Sequence, residues 1–401
     1  MLLTSPWRSD FPALAAFDSE GQTYLDSAAT AQKPQAMIDA LSDYYCGGAA
    51  NVHRAQHLPG ERATRAFEQV REQLAGWLNV PSREQIIFTR SSTEAINLLA
   101  YGLEQEFQAG DELVISALEH HANLLPWQQL AQRRGLKLRV LPLDAGGQID
   151  LFAAQQLIGP RCRLLAISQL SNVLGRWTPL SALLALGKAQ GAITVVDGAQ
   201  GVVHCQPDVQ ALGCDFYLFS SHKIYGPDGV GVLYGRSQAL QRLRHWQFGG
   251  EMVQHCDYQQ ASFRPAPLGF EAGTPPIAGV LGLGASLSYL SGLDATAVSR
   301  YEAALHQQLL SGLQARQGIQ LLGSPEVALA CFTVAGVHHS DLAQLLSEQG
   351  IAVRAGQHCA MPLLANLGVS GAVRVSLGLY NDGSDLVRFF HALDQSLELL
   401  Q

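Results

Sequence analysis

Short apolar runs alternate with longer helical patterns between about residue 60 and residue 235. Strands that alternate with helices in this way favour a mainly parallel sheet with helices on both faces. The predicted strands are Gln85–Thr89, Glu112–Ser116, Lys137–Leu141, Leu164–Ser168, Thr194–Asp197, Phe216–Ser220 and Gly231–Tyr234. The predicted helices are Glu61–Leu78, Thr93–Gln108, Pro126–Arg134 and Leu180–Gln190. The sequence therefore predicts an α/β fold whose large domain holds a mainly parallel seven-stranded sheet.

The pattern changes after Gly235, where the regular alternation ends. Residues 247–275 are rich in Gly, Pro and Gln and predict long loops. Beyond them we expect two helices and three strands, at Gly279–Ser291, Ala295–Arg316, Val327–Val334, Ala352–Arg354 and Ala372–Ser376. The chain has 401 residues, more than one hydrophobic core usually holds. We therefore expect a large domain at 20–265 and a smaller α+β domain made of 1–19 and 266–401.

Composition excludes several classes of protein. The net charge is −8, and no basic cluster is interleaved with aromatic residues, which argues against nucleic-acid binding. No apolar stretch is long enough to span a membrane, and the first residues lack a secretory pattern. The seven cysteines are odd in number, widely spaced and without a C-x-x-C pair, which argues against disulfides and zinc. We expect a cytoplasmic protein with reduced thiols and no metal site.

Lys223 follows the apolar run Phe216–Ser220 and precedes a Gly-Pro break. Such a lysine, at the end of a buried strand, is poorly placed for a solvated surface charge. Asp197 likewise ends an apolar run. In open α/β sheets, ligands bind at the carboxyl ends of the strands. Pyridoxal phosphate needs a lysine that binds it as a Schiff base and an acid near its pyridine nitrogen, so these two residues predict a site for that cofactor.

The segment Arg90–Asn97 follows a predicted strand and opens a helix. Ser91 and Glu94 have the spacing of a capping box, and taken alone the segment is best interpreted as a helix cap. Backbone N–H groups, hydroxyls and a positive helix end also form a phosphate site. With Lys223 and Asp197 on the same edge of the sheet, that second interpretation is favoured. The expected phosphate contacts are Ser92, Thr93, Ser220, His222 and, from a loop, Thr274.

Three further residues are expected to contact the cofactor ring. His120, in Glu119–Asn123, is expected to lie flat over it, although a His pair is often a structural feature. Asn172 and Gln200 are candidates for hydrogen bonds to the phenolic oxygen. Asp197 has the alternative role of a helix N-cap, which is commoner for an Asp after a strand.

Cys359 lies in Arg354–Pro362, a segment with the composition of a loop, where a thiol can be exposed. Only a few per cent of an ordinary thiol is thiolate at neutral pH. Arg354 and His358 are candidates for lowering the pKa of Cys359. Arg374 is flanked by valines in a strand pattern, and such an arginine near a ligand site often grips a carboxylate.

Taken together, these segments resemble the class V aminotransferase family, fold type I, and within it the group II cysteine desulfurases. The resemblance covers nearly the whole chain, in the segments Tyr24–Pro34, Asn51–Arg54, Ser92–Asn97, Glu119–Asn123, Val196–Gln200, Ser220–Lys223 and Arg354–Cys359. Two small departures from the family pattern, at Ser221 and Ser91–Ser92, remove no needed group.

The resemblance implies a role for each matching residue. Lys223 matches the Schiff-base lysine, Asp197 the pyridine partner and His120 the stacked histidine. Thr93, Ser220 and His222 match phosphate ligands, and Thr274 matches a phosphate contact from the partner subunit of a homodimer. Arg374 matches the arginine that binds the substrate carboxylate, in a substrate site with Arg354 and Asn172. Cys359 matches the cysteine that carries the persulfide.

The activity implied is removal of sulfur from L-cysteine, with L-alanine and a persulfide on Cys359 as products. L-cysteine sulfinate and L-selenocysteine are further expected substrates. A short segment around Cys359 implies that an acceptor protein of the SufE type collects the sulfur, for example for iron–sulfur cluster assembly. An aminotransferase or a kynureninase-like lyase on the same fold is the alternative enzyme. A scaffold protein without turnover is the alternative of another class, and the intact Lys223, Asp197 and Arg374 argue against it.

Overall fold

The computed structural model describes residues 3–400. The strands are β1 Thr23–Tyr24, β2 Ile86–Thr89, β3 Glu112–Ser116, β4 Lys137–Leu141, β5 Cys162–Ser168, β6 Ile193–Asp197, β7 Phe216–Ser220, β8 Gly231–Gly235, β9 Val253–Cys256, β10 Ala261–Phe263, β11 Ile319–Leu321, β12 Leu329–Val334, β13 Ile351–Ala352, β14 Arg354–Gly356 and β15 Ala372–Ser376. The α-helices are α1 Ala13–Ser19, α2 Gln35–Cys46, α3 Leu58–Trp77, α4 Ser92–Gly102, α5 His121–Arg134, α6 Leu151–Leu157, α7 Leu180–Ala189, α8 Gly201–His204, α9 Val209–Leu212, α10 Ser237–Leu240, α11 Ile277–Ser291, α12 Ala295–Gln314, α13 His339–Glu348, α14 Met361–Asn366 and α15 Gly383–Leu400.

The large sheet contains the seven predicted strands, in the order β2-β8-β7-β6-β5-β3-β4. Strands β4, β3, β5, β6 and β7 are parallel, and β8 is antiparallel to both β7 and β2. Strand β2 therefore points in the same direction as the five parallel strands. The predicted α/β class and the mainly parallel sheet are confirmed.

Both faces of the large sheet are covered, as continuous apolar strands require. Every residue of β2, β3, β6, β7 and β8 is buried. One apolar core, which includes Phe67, Val196 and Phe219, lies on one face under α3, α7 and α11. The other core includes Ile96, Trp127 and Leu218 and lies under α4 and α5. The alternation of side chains along each strand divides its residues between these two cores.

A second sheet, in the order β11-β12-β15-β14, forms the centre of a further core with α12, α13 and α15. It includes the predicted strand Ala372–Ser376, now β15, in its full length. The N-terminal strand β1 pairs in parallel with β13, which ties the start of the chain to this C-terminal region. Helix α11 packs on α2 and α3. The predicted domain boundaries stay a prediction.

The structure differs from the predictions mainly where local capping sets the ends of elements. Helix α5 begins at His121, five residues before the predicted start, because the His120 side chain accepts a hydrogen bond from the Ala122 N–H group. Pro126 lies within this helix rather than at its start. The predicted loop at 247–275 contains the exposed hairpin β9–β10.

A buried ion pair fixes the chain that leads to Thr274. Arg71 on α3 is fully buried, and its guanidinium donates to Glu271 over 2.6 and 2.9 Å and to Glu68 over 3.0 and 3.2 Å. Glu271 also accepts a hydrogen bond from the Phe88 N–H group of β2. Removing one partner of such a pair leaves an uncompensated buried charge, which costs about 3–5 kcal/mol. The pair therefore anchors the loop after Glu271 to the edge of the large sheet.

Within residues 3–400, no single helix combines the length and the apolarity of a membrane span. Helices α11 and α12 reach them only as a pair, across a bend of 88°.

Candidate active site

Most of the residues predicted to bind the cofactor lie at one edge of the large sheet. Strands β2, β3, β5, β6 and β7 point in one direction, and their carboxyl ends are Thr89, Ser116, Ser168, Asp197 and Ser220. Each of the connections that follow carries residues predicted for the site. Backbone direction alone thus gathers side chains from five separate segments.

Lys223 lies on a single 3₁₀ turn, Ser221–Lys223, directly after β7. The N-terminal segment holds this turn, since the Ala31 N–H group and the Lys33 ammonium donate to the His222 carbonyl over 3.0 and 3.1 Å. Burial, aided by the positive charge of Arg374, lowers the pKa of Lys223 to about 8, against the opposing effects of Asp197 and Cys359. At this pKa about one tenth of the lysine is a neutral amine at pH 7, far more than for an ordinary lysine. Burial likewise lowers the pKa of His222 to about 4.

Asp197 is buried at the end of β6, and its carboxylate accepts a hydrogen bond of 2.9 Å from the Ala199 N–H group. Burial raises the pKa of this carboxyl, and the charge of Lys223 counteracts the rise. Helix α8 begins only at Gly201, so Asp197 is not its N-cap and the alternative interpretation is wrong. Gln200 is also buried, and its Oε1 atom has no hydrogen-bond partner in the described chain.

The predicted phosphate contacts Ser92 and Ser220 meet directly. The Ser92 N–H group donates to Ser220 Oγ over 2.8 Å, and the two hydroxyl oxygens are 3.0 Å apart. Gly231 permits this approach, because a Cβ atom there would lie 2.5 Å from the Ser91 carbonyl carbon. Ser91 also caps α4, with its Oγ atom accepting from the Glu94 N–H group over 3.2 Å. The segment therefore forms a helix cap, and its role as a phosphate site stays a prediction.

Glu119, for which no role was predicted, organises the strand ends around His120. It accepts hydrogen bonds from the Ser116 hydroxyl over 2.5 Å, from Asn123 Nδ2 over 2.6 Å, and from the Ser168 N–H group and hydroxyl. Burial raises the pKa of Glu119 to about 7, against these hydrogen bonds. Glu119 thus joins the ends of β3 and β5, the two strands whose connections carry His120 and Asn172.

His120 is held as a neutral imidazole. Burial, then the positive charge of Lys223, lowers its pKa to about 4. His120 and Thr93 both line a groove of about 740 Å³ between α4 and α5. Both residues therefore border one groove, and their predicted contacts with the cofactor stay predictions.

A network around Asp26 orients the two predicted arginines. Arg374 is buried on β15, and its guanidinium donates to Asp26 and to the Asn172 carbonyl, both over 3.1 Å. Exposed Arg354, opposite Arg374 on β14, donates to Asp26 over 3.0 Å. Arg374 Nε is buried without a partner in the described chain. Asp26 was missed as a functional residue, although it lies in a segment that carries the family resemblance.

Cys359 lies in the short connection 357–360 between β14 and α14, with its side chain exposed. Cys359 and His358 have φ angles of 53° and 49°, the left-handed region that costs a non-glycine residue about 1–2 kcal/mol. Hydrogen bonds from Asn172 and His121 hold this backbone. Burial, then the charge of Arg374, lowers the pKa of His358 to about 3, so its neutral ring supplies no positive charge to the thiol.

Thr274 does not join the other residues within one chain. It is exposed and lines a cleft with Thr89, Arg90 and Glu94, on the outer side of the turn that begins α4. Its predicted role as a contact from a partner subunit stays a prediction.

Pyridoxal phosphate fits these residues. The unpartnered Gln200 Oε1 and Arg374 Nε atoms are buried polar groups, which normally have partners. The hydroxyls of Ser92 and Ser220 meet at the start of α4, a helix end whose positive dipole suits a phosphate. Lys223 supplies an amine of lowered pKa, and Asp197 supplies the buried carboxyl that a pyridine nitrogen needs.

Comparison with known proteins gives one consistent family. The family model "Aminotransferase class-V" matches residues 23–389. A probable cysteine desulfurase of Pseudomonas putida is 70% identical over 401 residues, the full length of both chains. The cysteine desulfurase CsdA of Escherichia coli is 44% identical, and its crystal structure superposes with a TM-score of 0.92 over 98% of each chain. The apo structure of a cysteine desulfurase from Thermococcus onnurineus, 33% identical, has a TM-score of 0.94 over 99% of each chain.

The lowered pKa of Lys223 predicts how its reactivity changes with pH. In cofactor-free protein labelled with acetic anhydride, we expect the labelling of Lys223 to rise between pH 7 and 9 with a midpoint near 8. The neutral fraction would grow from about one tenth to about nine tenths. Peptide-resolved mass spectrometry measures it, with exposed Lys137 as the internal reference. Labelling that climbs through pH 9 without a plateau would mean an ordinary lysine.

Proposed function

The chain belongs to the class-V aminotransferase family, and from that membership we propose that it is a pyridoxal-phosphate-dependent cysteine desulfurase. It converts L-cysteine to L-alanine and leaves the sulfur as a persulfide on Cys359. The observation that supports the proposal most directly is the exposed thiol of Cys359 near Lys223 and Arg374. Cys359 is close enough to Lys223 to affect its pKa, and Arg374 acts on the same lysine.

The residues at the sheet edge divide the work of holding the cofactor. We assign Lys223 to its aldehyde carbon, Asp197 to its pyridine nitrogen and His120 to the face of its ring. Gln200 and Asn172 are assigned to hydrogen bonds with its phenolic oxygen. The phosphate is assigned to Ser92, Thr93, Ser220 and His222. When bound, pyridoxal phosphate supplies an electron-accepting ring that makes bonds at the substrate α-carbon easier to break.

Arg374 is suited to bind the substrate carboxylate. Two of its donors are used by Asp26 and Asn172, and Nε is free of any partner in the described chain. The Asp26 carboxylate keeps the guanidinium charge partly balanced, and burial strengthens a charge-assisted bond to a carboxylate. Exposed Arg354, on the other side of Asp26, is assigned to the mouth of the substrate site.

Lys223 carries out the proton transfers, and His120 stays neutral beside it. Because the pKa of Lys223 is lowered to about 8, its amine can take a proton from the substrate α-carbon and return it to the product. His120, with a pKa lowered to about 4, stays neutral and does not add a positive charge beside the amine.

The nucleophile of the sulfur step is the thiol of Cys359. The Cys359 thiolate attacks the substrate sulfur, so that an S–S bond forms as the substrate C–S bond breaks. A proton then adds to the former β-carbon, which gives alanine. Cysteine and Cys359–SH thus become alanine and Cys359–S–SH, with no outside oxidant or reductant.

The sulfur must then leave to an acceptor that comes to the site. The connection that carries Cys359 spans only residues 357–360, and its backbone is fixed at both ends by β14 and α14. A segment this short cannot carry sulfur far. We therefore propose an acceptor protein of the SufE type, whose thiol takes the outer sulfur and regenerates the Cys359 thiol. We place this transfer in the cytoplasm, with iron–sulfur cluster assembly as a destination.

Other substrates follow from the same site. L-cysteine sulfinate and L-selenocysteine carry a carboxylate for Arg374 and an α-proton for Lys223. Their β-substituents leave without attack by a thiol, so we propose that both are turned over independently of Cys359. An aminotransferase on the same fold is the second candidate, but its reaction would not need the Cys359 thiol.

We propose that the chain acts as a homodimer. Thr274 is exposed and lies apart from Lys223 within one chain, although its family match is a phosphate contact. The nearby segment exposes large apolar side chains at Phe248 and Tyr258, which a partner subunit would cover. A second copy would thereby complete each site.

Substrate choice tests the role of Cys359. In Cys359→Ala, we expect alanine formation from L-cysteine to fall by about two orders of magnitude or more, because the nucleophile is gone. Alanine formation from L-cysteine sulfinate should stay within about twofold of wild type, because its β-substituent leaves unaided. The exposed cysteine Cys256, changed to Ala, is the matched control. Wild-type turnover of cysteine by Cys359→Ala would contradict the mechanism.

Subunit mixing tests the shared site. Lys223→Ala and Thr274→Ala chains are each expected to have low activity as homodimers. Co-refolded or co-expressed together, they should recover activity, because one site of each mixed dimer has both Lys223 and Thr274 intact. Light scattering would establish the dimer, and mixing Lys223→Ala with Asp197→Ala is the control without recovery. No recovery in the first mixture would mean that Thr274 acts within its own chain or not at all.

A further inference from the structure

The backbone around Cys359 is held in a conformation that it would not adopt alone. His358 and Cys359 are consecutive non-glycine residues with positive φ. Such conformations persist only where surrounding contacts determine them. The contacts that hold this pair therefore decide where the Cys359 thiol lies.

His121, the first residue of α5, contacts the loop on both sides of Cys359. Its N–H group donates to the Cys359 carbonyl over 2.7 Å. Its Nε2 atom accepts from the Met361 N–H group over 3.3 Å, and its proton is then on Nδ1. No other residue among 3–400 binds the backbone both at Cys359 and at Met361.

Two further hydrogen bonds fix only the upstream side of the loop. Asn172 Nδ2 donates to the His358 carbonyl over 2.9 Å, and His358 Nε2 donates to the Ala372 carbonyl over 3.0 Å. Without the Nε2 bond of His121, the downstream side would rely on the start of α14 alone. That helix has no side-chain cap.

We propose that His121 is a positioning residue that holds the Cys359 thiol at the substrate sulfur, and that it thereby favours thiol-dependent turnover over thiol-independent turnover. The inference rests on the proposed function and deepens it. His121 touches no reacting atom, and it acts through the loop. Because it directly follows His120, the start of α5 orients both the ring-facing imidazole and the nucleophile loop.

The test uses the holoenzyme in four forms, namely wild type, His121→Ala, His121→Gln and Leu125→Ala. Glutamine keeps an acceptor at the reach of Nε2, whereas alanine removes it. Exposed Leu125 lies on the same helix and lines the same groove, without a hydrogen bond to the loop, so it is the matched control.

Two readouts separate positioning from general damage. In His121→Ala we expect turnover of L-cysteine to fall about tenfold or more, since a misplaced nucleophile loses rate steeply. Turnover of L-cysteine sulfinate should stay within about twofold of wild type. Iodoacetamide should alkylate Cys359 about threefold faster or more in this variant, measured by peptide-resolved mass spectrometry, while exposed Cys46 and Cys256 keep their rates. In His121→Gln, the turnover of L-cysteine and the alkylation rate of Cys359 should both return most of the way to their wild-type values.

Several results would overturn the proposal. Equal loss of cysteine and sulfinate turnover in His121→Ala would show a structural role only. Unchanged or slower alkylation of Cys359 in His121→Ala would show that the hydrogen bond from the loop to His121 does not position the thiol. The absence of rescue by glutamine would show the same. If instead wild-type turnover of cysteine does not depend on Cys359, the proposed function itself fails, and Cys359→Ala reveals that independently of His121.

Discussion

Burial at one edge of the large sheet is the main influence on the pKa values of Lys223, His120 and Glu119. It lowers the pKa of Lys223 to about 8 and that of His120 to about 4, and it raises the pKa of Glu119 to about 7. Buried charges are costly unless they are paired or neutralised. At this site the buried groups are either held in their neutral forms or paired with an opposite charge, as Arg374 is with Asp26. The same burial makes the Lys223 amine reactive, because it lowers the pKa of that amine.

The parallel direction of the strands places their carboxyl ends at one edge, and contacts from the rest of the chain position the side chains there. Segments distant in sequence hold the connections. Ala31 and Lys33 bind the turn that carries Lys223, and His121 binds the loop of Cys359. The N-terminal segment also supplies Asp26, which orients the arginine of the second sheet. The two regions therefore meet through polar contacts at the site, such as that of Arg374 with the Asn172 carbonyl and that of His121 with the Cys359 carbonyl.

The sequence alone predicted the seven strands and the residues at their carboxyl ends, because apolar runs and the polar residues after them are local signals. Asp197, Ser92 and Ser220 were found in this way. Asp26 and Glu119 were missed, since their importance lies in hydrogen bonds to distant strands such as Ser168 on β5. The early start of α5 was also missed, because a histidine cap at His120 is an uncommon signal. The role of Thr274 as a contact from a partner subunit rests on the family resemblance alone, because loop composition does not indicate which chain a loop contacts.

The proposed transfer of sulfur from the substrate to Cys359 can be tested by a single turnover of the holoenzyme. The holoenzyme receives one equivalent of L-cysteine without a reductant and is then alkylated and analysed by peptide-resolved mass spectrometry. We expect one alanine per active site and one added sulfur atom on the peptide that contains Cys359. Alanine formed with free sulfide and no added sulfur, or sulfur found instead on exposed Cys46 or Cys256, would contradict it.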